Sequence, residues 1–247
     1  MKNALCLGIT SLLVGLLVAP VLADGLPLPP VTLQVGWEQG GEPRVWAIDI
    51  TDTSNGAVSG VTQNPDGTWQ LQGSWASGVP AWDCSWNFTV DPDPAVFGGF
   101  SFMNVTGIPQ NFSVSLVLPA VVPSPAQMRG TIAGSLLDAG DDGAVLSTVP
   151  GVALYTAIID GSPVKTLLDD PFLFSVGPAA SGTWPTSPAA FGFEPAPPVA
   201  TMIGIDHQFS LSGGFDIVTF VTRFEVIPEP ATLCLLALCG LALVRRR

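Results

Sequence analysis

Large apolar residues alternate with small or polar ones over much of the chain, and that beat leaves few folds open to it. Val31, Leu33, Val35 and Trp37 occupy every second position, as do Trp46, Ile48 and Ile50. The same period runs through Trp82, Cys84, Trp86, Phe88 and Val90, and through Phe112, Val114, Leu116 and Leu118. A period of two sends successive side chains to opposite faces of a pleated strand, so each segment has one face for a core and one for water. Breakers separate the strands at Asn64-Pro65-Asp66-Gly67, at Asp91-Pro92-Asp93-Pro94, from Asp138 to Gly143, and at Ser212-Gly213-Gly214. The last strands are His207 to Leu211 and Phe215 to Val226. The expectation is an all-β domain over residues 24–226, an antiparallel β-sandwich of the jelly-roll or immunoglobulin-like kind. Gly25 to Pro30 and Gly177 to Pro198 are dense in Pro and small residues, and the second reads as a long surface loop.

The two ends follow different rules. Lys2, the apolar stretch from Ala4 to Val18 and the small-residue site Val21-Leu22-Ala23 make residues 1–23 a cleaved signal peptide, with the mature chain starting at Asp24. Residues 227–247 carry Pro228, Glu229 and Pro230, then an apolar run from Leu233 to Val244, then Arg245, Arg246 and Arg247. The prolines keep the chain extended, and the arginines act as stop charges on the cytoplasmic side. As a helix, Ala231 to Val244 reaches about 21 Å against a hydrocarbon core of about 30 Å. Such a short transmembrane helix needs snorkelling or bilayer thinning, which suits an anchor that is held briefly and then removed. The terminal arginines argue against a lipid-anchor signal, which ends in uncharged hydrophobic residues.

This tail resembles the PEP-CTERM sorting signal of Gram-negative bacteria. The resemblance implies export by the general secretion machinery, transient inner-membrane anchoring and processing by an exosortase near Pro228-Glu229-Pro230. It also implies a final place at the cell surface or in an exopolysaccharide or biofilm matrix. Asp91 to Pro119 and His207 to Gly214 are similar to the bodies of other exported proteins of this type, which implies a sandwich without a known activity.

Between the two tags 19 acidic residues face only Arg44, Arg129, Lys165 and Arg223, about 15 net negative charges. Such a body repels nucleic acid, which is therefore not an expected partner. Cys84 is the one cysteine outside the tags, so no intrachain disulfide can staple the processed body, and apolar burial has to hold it. Its place among Trp82, Trp86 and Phe88 marks it as an inward-facing, unreactive residue.

The residues that carry chemistry are sparse. His207 is the single histidine, no Gly-x-Ser-x-Gly elbow occurs, and one His with one distant Cys cannot assemble a zinc site. His207 reads as a strand-end residue satisfied by backbone. A glycan- or ester-cleaving hydrolase is thus the poorest of three functional readings, and neither catalytic residues nor a cofactor are assigned. Most acids fall in turns, where a carboxylate caps nearby N–H groups. No loop matches a calcium-binding consensus, so no metal is assigned and the body is expected to fold without one; Asp138, Asp141 and Asp142 are the acids to nominate if one bound. Among the seven tryptophans, Trp46, Trp82 and Trp86 obey the strand period and belong to the core. Trp75 and Trp184, set among Gly, Ser and Pro, are the candidates for an exposed glycan-binding surface. Asn87, Asn104 and Asn111 stand in Asn-x-Ser/Thr triplets. The leading expectation is a non-enzymatic exported surface or matrix protein, with a carbohydrate-binding module as its first alternative.

Overall fold

A computed structural model describes residues 28–77 and 82–229. The expected signal peptide, Pro230 and the apolar, arginine-ended tail lie outside these residues. Within them the chain makes fifteen strands: β1 (Thr32–Gln39), β2 (Glu42–Asp49), β3 (Val58–Gln63), β4 (Trp69–Ala76), β5 (Trp82–Asp91), β6 (Ala95–Asn104), β7 (Gln110–Pro119), β8 (Ala126–Leu137), β9 (Ala144–Thr148), β10 (Tyr155–Ile159), β11 (Ser162–Leu167), β12 (Leu173–Val176), β13 (Ser181–Ala196), β14 (Met202–Leu211) and β15 (Asp216–Pro228). One sheet has the order β11-β10-β14-β7-β1-β2, with β9 also on β14 and β12 on β9. The other has the order β13-β8-β15-β6-β5-β4-β3. Every pairing between these strands is antiparallel, and the two sheets form a sandwich.

The period of two explains which residues fill it. In β5 the buried side chains are Trp82, Cys84, Trp86, Phe88 and Val90, and in β7 they are Phe112, Val114, Leu116 and Leu118. Three of the four breaker clusters fall between strands, after β3, β8 and β14, and the fourth begins at Asp91, the last residue of β5. Gly40 and Gly41 join β1 to β2 with φ of 64° and 83°, left-handed values that only glycine adopts without strain. Aromatic rings then cross the middle of the sandwich: Phe102 of β6 meets Phe112 of β7 at 4.6 Å and Phe209 of β14 at 5.6 Å between centroids. Phe220 of β15 lies 4.9 Å from Phe209 and 4.6 Å from Phe100. Such contacts contribute beyond the area they bury, in a core that contains no disulfide.

The structure corrects the reading of Gly177 to Pro198 as a surface loop, because most of it is the sixteen-residue strand β13. Proline cannot donate to a ladder, but β13 is an edge strand with β8 as its neighbour in the sheet order. Its register shifts between Trp184 and Ala189, and again between Phe191 and Glu194, so Pro185 and Pro188 fall in a bulge. Trp184 is corrected with it. Only 1% of its surface is exposed, so it cannot offer a face to a sugar. Its indole lies over Gly134 of β8, the residue directly across the ladder, and packs edge-on against Phe220 at 5.3 Å. Trp46 moves the other way, being half-buried on the edge strand β2 rather than in the core.

Gly134 is what admits the Trp184 ring, since a Cβ there would collide with both the indole and the Thr219 carbonyl. Gly134→Ala is expected to destabilise the fold by about 1–3 kcal/mol, the usual cost of overpacking. Chemical denaturation at constant m-value checks this, and an unchanged midpoint would contradict the packing described.

Candidate functional site

Several acids cap turns. Asp49, Asp52, Asp66, Asp91, Asp160 and Asp170 each accept backbone N–H bonds from neighbouring loops. Asp160, for example, binds the N–H groups of Ala200, Met202 and Thr201 together with the Thr201 hydroxyl, which holds its carboxyl down at about 2. One group differs. Asp138 follows β8, Asp142 lies in the next loop and Asp216 opens β15, and these three bring one carboxylate oxygen each within 4.8 Å of the others. Asp141, nominated from sequence beside Asp138 and Asp142, is not in this trio, whereas Asp216 is. Its membership depends on the β8–β15 ladder, where Ile217 pairs with Leu137, so spacing in the sequence could not reveal it.

Asp138 and Asp216 are both buried, and their surroundings push them in opposite directions. Desolvation raises the Asp138 carboxyl, but N–H donors from Gly143, Ala179 and Gly140 outweigh it and leave the group below its ordinary value. Burial pushes Asp216 up to about 6, opposed by the Ser212 hydroxyl and reinforced by the charges of Asp138 and Asp142. Oxygens of the two carboxylates lie within 4.8 Å of each other. Asp216 has no exposed surface for a substrate to reach. Nearby, Asn104 is fully buried and its amide donates to the carbonyls of Ile108, Leu211 and Ser212 at 2.9–3.0 Å, so in the folded chain it is a structural tie rather than a glycan acceptor.

Trp75, the other nominated tryptophan, is half-buried and stacks on Trp46 at 5.3 Å with 24° between the rings. It borders a shallow groove of about 330 Å³ whose wall includes Asp83, Ser85, Ser101, Met103 and Ile217.

The far end of β15 runs into Pro228 and Glu229. Pro228 is exposed and pairs with Ala126 as the last residue of the strand, while the Glu229 N–H donates to the Pro125 carbonyl at 2.9 Å. Three residues then separate Glu229 from the apolar run at Leu233. Residues 226–247 match the family model of the PEP-CTERM protein-sorting motif. The chain is a PEP-CTERM domain-containing protein. No curated protein matches it. The PEP-CTERM motif marks an exported protein that is transiently anchored in the membrane and processed by an exosortase. Its boundary overlaps the sandwich, because β15 extends to Pro228 while the match starts at Val226. Among the described residues no helix is long and apolar enough to cross a membrane; the apolar run of the PEP-CTERM segment and Arg245, Arg246 and Arg247 lie outside them.

Elsewhere in this PEP-CTERM body Cys84 and His207 are sealed in. Cys84 is 3% exposed, and burial, with a lesser effect from Asp83, pushes its thiol far above the ordinary value. His207 is corrected from a strand end to the middle of β14. It is 2% exposed, with the rings of Phe100, Tyr155 and Phe220 at 5.0–5.6 Å. Neither of its nitrogens makes a hydrogen bond of acceptable geometry, and burial lowers its pKa from 6.5 to about 3 against a small opposing effect of the Leu154 backbone.

A histidine depressed on folding supports stability above pH 6.5 and withdraws that support as pH falls towards 3. Asp216, raised on folding, has the opposite sign: its contribution is present below pH 3.8 and is lost as pH rises through about 6. His207→Leu is therefore expected to flatten the acid limb of the stability curve, removing a loss on the order of a few kcal/mol between pH 6.5 and pH 4. Denaturant titrations of both chains across that range check it. Parallel acid limbs would show that His207 is not the group responsible.

Proposed function

We propose that the processed body is a non-enzymatic structural or interaction protein of the cell surface or extracellular matrix, associated with exopolysaccharide or biofilm. The observation that carries this reading is the continuity of the sorting motif with β15. The motif follows directly from a strand paired with β6 to Glu225 and with β8 to Pro228, which supports delivery of the folded body. The absence of a catalytic role is supported by the burial of His207 and Cys84 and by the use of the acids as turn caps. A net charge of about 15 negative units keeps such a body soluble and attracts cations rather than anionic partners.

The exosortase step is tested by changing Pro228, Glu229 and Pro230 together to Ala. Pro228 contributes no N–H to the ladder, so the exchange leaves the sandwich intact while removing the signal. The variant is expected to accumulate in the inner membrane fraction as the full-length tagged form. Release equal to that of the unaltered chain would end the proposal.

A second reading, carbohydrate binding, is favoured by the half-buried Trp75, whose ring stacks on the half-buried Trp46 of β2 as a paired aromatic surface. Trp184 takes no part in it. Trp75→Ala is expected to weaken binding to the producing cell's own polysaccharide about tenfold, a change of about 1.4 kcal/mol. Titration followed by tryptophan fluorescence measures this, and equal binding by the two chains would remove the reading.

A further inference from the structure

We propose that Asp138, Asp142 and Asp216 bind a divalent, oxygen-seeking cation of the calcium class, which clamps the loops at one end of the sandwich. Three carboxylate oxygens within 4.8 Å of one another fit a shell of calcium–oxygen distances of about 2.3–2.6 Å. A crowd of acids alone would say little. The deciding observation is Asp216 Oδ1, which belongs to a residue with no exposed surface and has no hydrogen-bond partner. The other oxygen of the same carboxylate accepts from the Ser212 hydroxyl, so the free one belongs to a group that is already held in place. An unpartnered oxygen in a buried carboxylate is costly, and the two acids beside it add repulsion.

Among the described residues no side-chain cation pairs with these acids. Arg129 and Arg223 pair with Glu225, and Lys165 pairs with Glu194 at 3.0 Å. Arg44, the remaining basic residue of the body, sits on the edge strand β2 of the other sheet.

The surroundings accommodate an ion. A Cβ on Gly214 would press to 3.2 and 3.3 Å from the two Asp142 oxygens, and one on Gly140 would strike the Gly214 carbonyl and come 3.1 Å from Asp142 Oδ1. Two glycines thus make room for the third carboxylate. Asp142 is exposed, so the ion has a route in and positions left for water. An all-oxygen donor set with one open side suits calcium, which tolerates irregular shells of six to eight oxygens, better than magnesium, which requires a near-ideal octahedron.

The connections give the ion mechanical leverage. Asp138 holds the N–H of Ala179 ahead of β13 and of Gly143 ahead of β9, and Ser212 joins Asp216 to the N–H of Val145 in β9. Because β9 belongs to one sheet and β13 and β15 to the other, one cation would fasten both sheets at this end.

The test uses the full chain in mild detergent, with calcium chloride added against a chelator and ionic strength matched with sodium chloride. Calorimetric titration is expected to give a dissociation constant of about 10⁻⁴–10⁻³ M, the range of extracellular modules, and thermal unfolding a rise in midpoint that sodium does not reproduce. Asp142→Asn, at an exposed position, should weaken binding at least tenfold without unfolding the chain. Asp216→Asn, which keeps size and hydrogen bonding, should abolish the calcium-specific rise. Asp141→Asn should leave both measurements unchanged. Absence of binding heat and of a calcium-specific rise at 5 mM would overturn the proposal, and so would an Asp141→Asn loss equal to that of Asp142→Asn.

Discussion

Everything distinctive about this protein is tied to the two-sided pairing of β15. From Asp216 to Glu225 it is bonded to β6, and from Ile217 to Pro228 to β8. Its inward side chains Val218, Phe220, Phe224 and Val226 are fully buried, and Phe220 touches the rings of Phe100, Phe209, Trp184 and His207. At about 3.3 Å per residue its ends are about 40 Å apart, one carrying Asp216 into the acid cluster and the other leading into the PEP-CTERM motif. The chain therefore passes to its processing site from the interior of a sheet rather than from a slack linker.

Charge and burial divide the molecule into unequal parts. The core is held by apolar burial and ring contacts, with Cys84 unpaired within it. Several acids cap turns, where backbone N–H groups satisfy them. The trio at the start of β15 departs from this, because two of its members are buried while Arg129, Arg223 and Lys165 pair with Glu225 and Glu194. Favourable turn geometry at Asp138 and unfavourable burial at Asp216 sit side by side.

The strands that were legible in sequence are those whose two faces differ. Trp82 to Val90 and Phe112 to Leu118 alternate without interruption because one face lies on the core and the other in water. β13 was illegible for the opposite reason: as an edge strand with a bulge it needs few donors from its own backbone, so its prolines look like a loop. Trp184 and Trp75 share a composition of small neighbours, yet one is sealed over Gly134 and the other borders a groove. The difference lies in which residue stands across the sheet, and that is set by register. Asp141 and Asp216 exchanged places in the acid cluster on the same grounds.

By itself the sequence determined the class of fold, the positions of the main turns, the inward face of the regular strands and the sorting tail, because each of these depends on residues close together along the chain. Periodicity, turn chemistry and a motif of 22 residues are local properties. Only the tertiary structure decided what lies across a ladder or at the end of a sheet: the burial of Trp184, the apolar cage of His207 and the meeting of Asp138, Asp142 and Asp216. Those depend on pairings such as that between Ile217 and Leu137, 80 residues apart, for which no local pattern in either segment carries a signal.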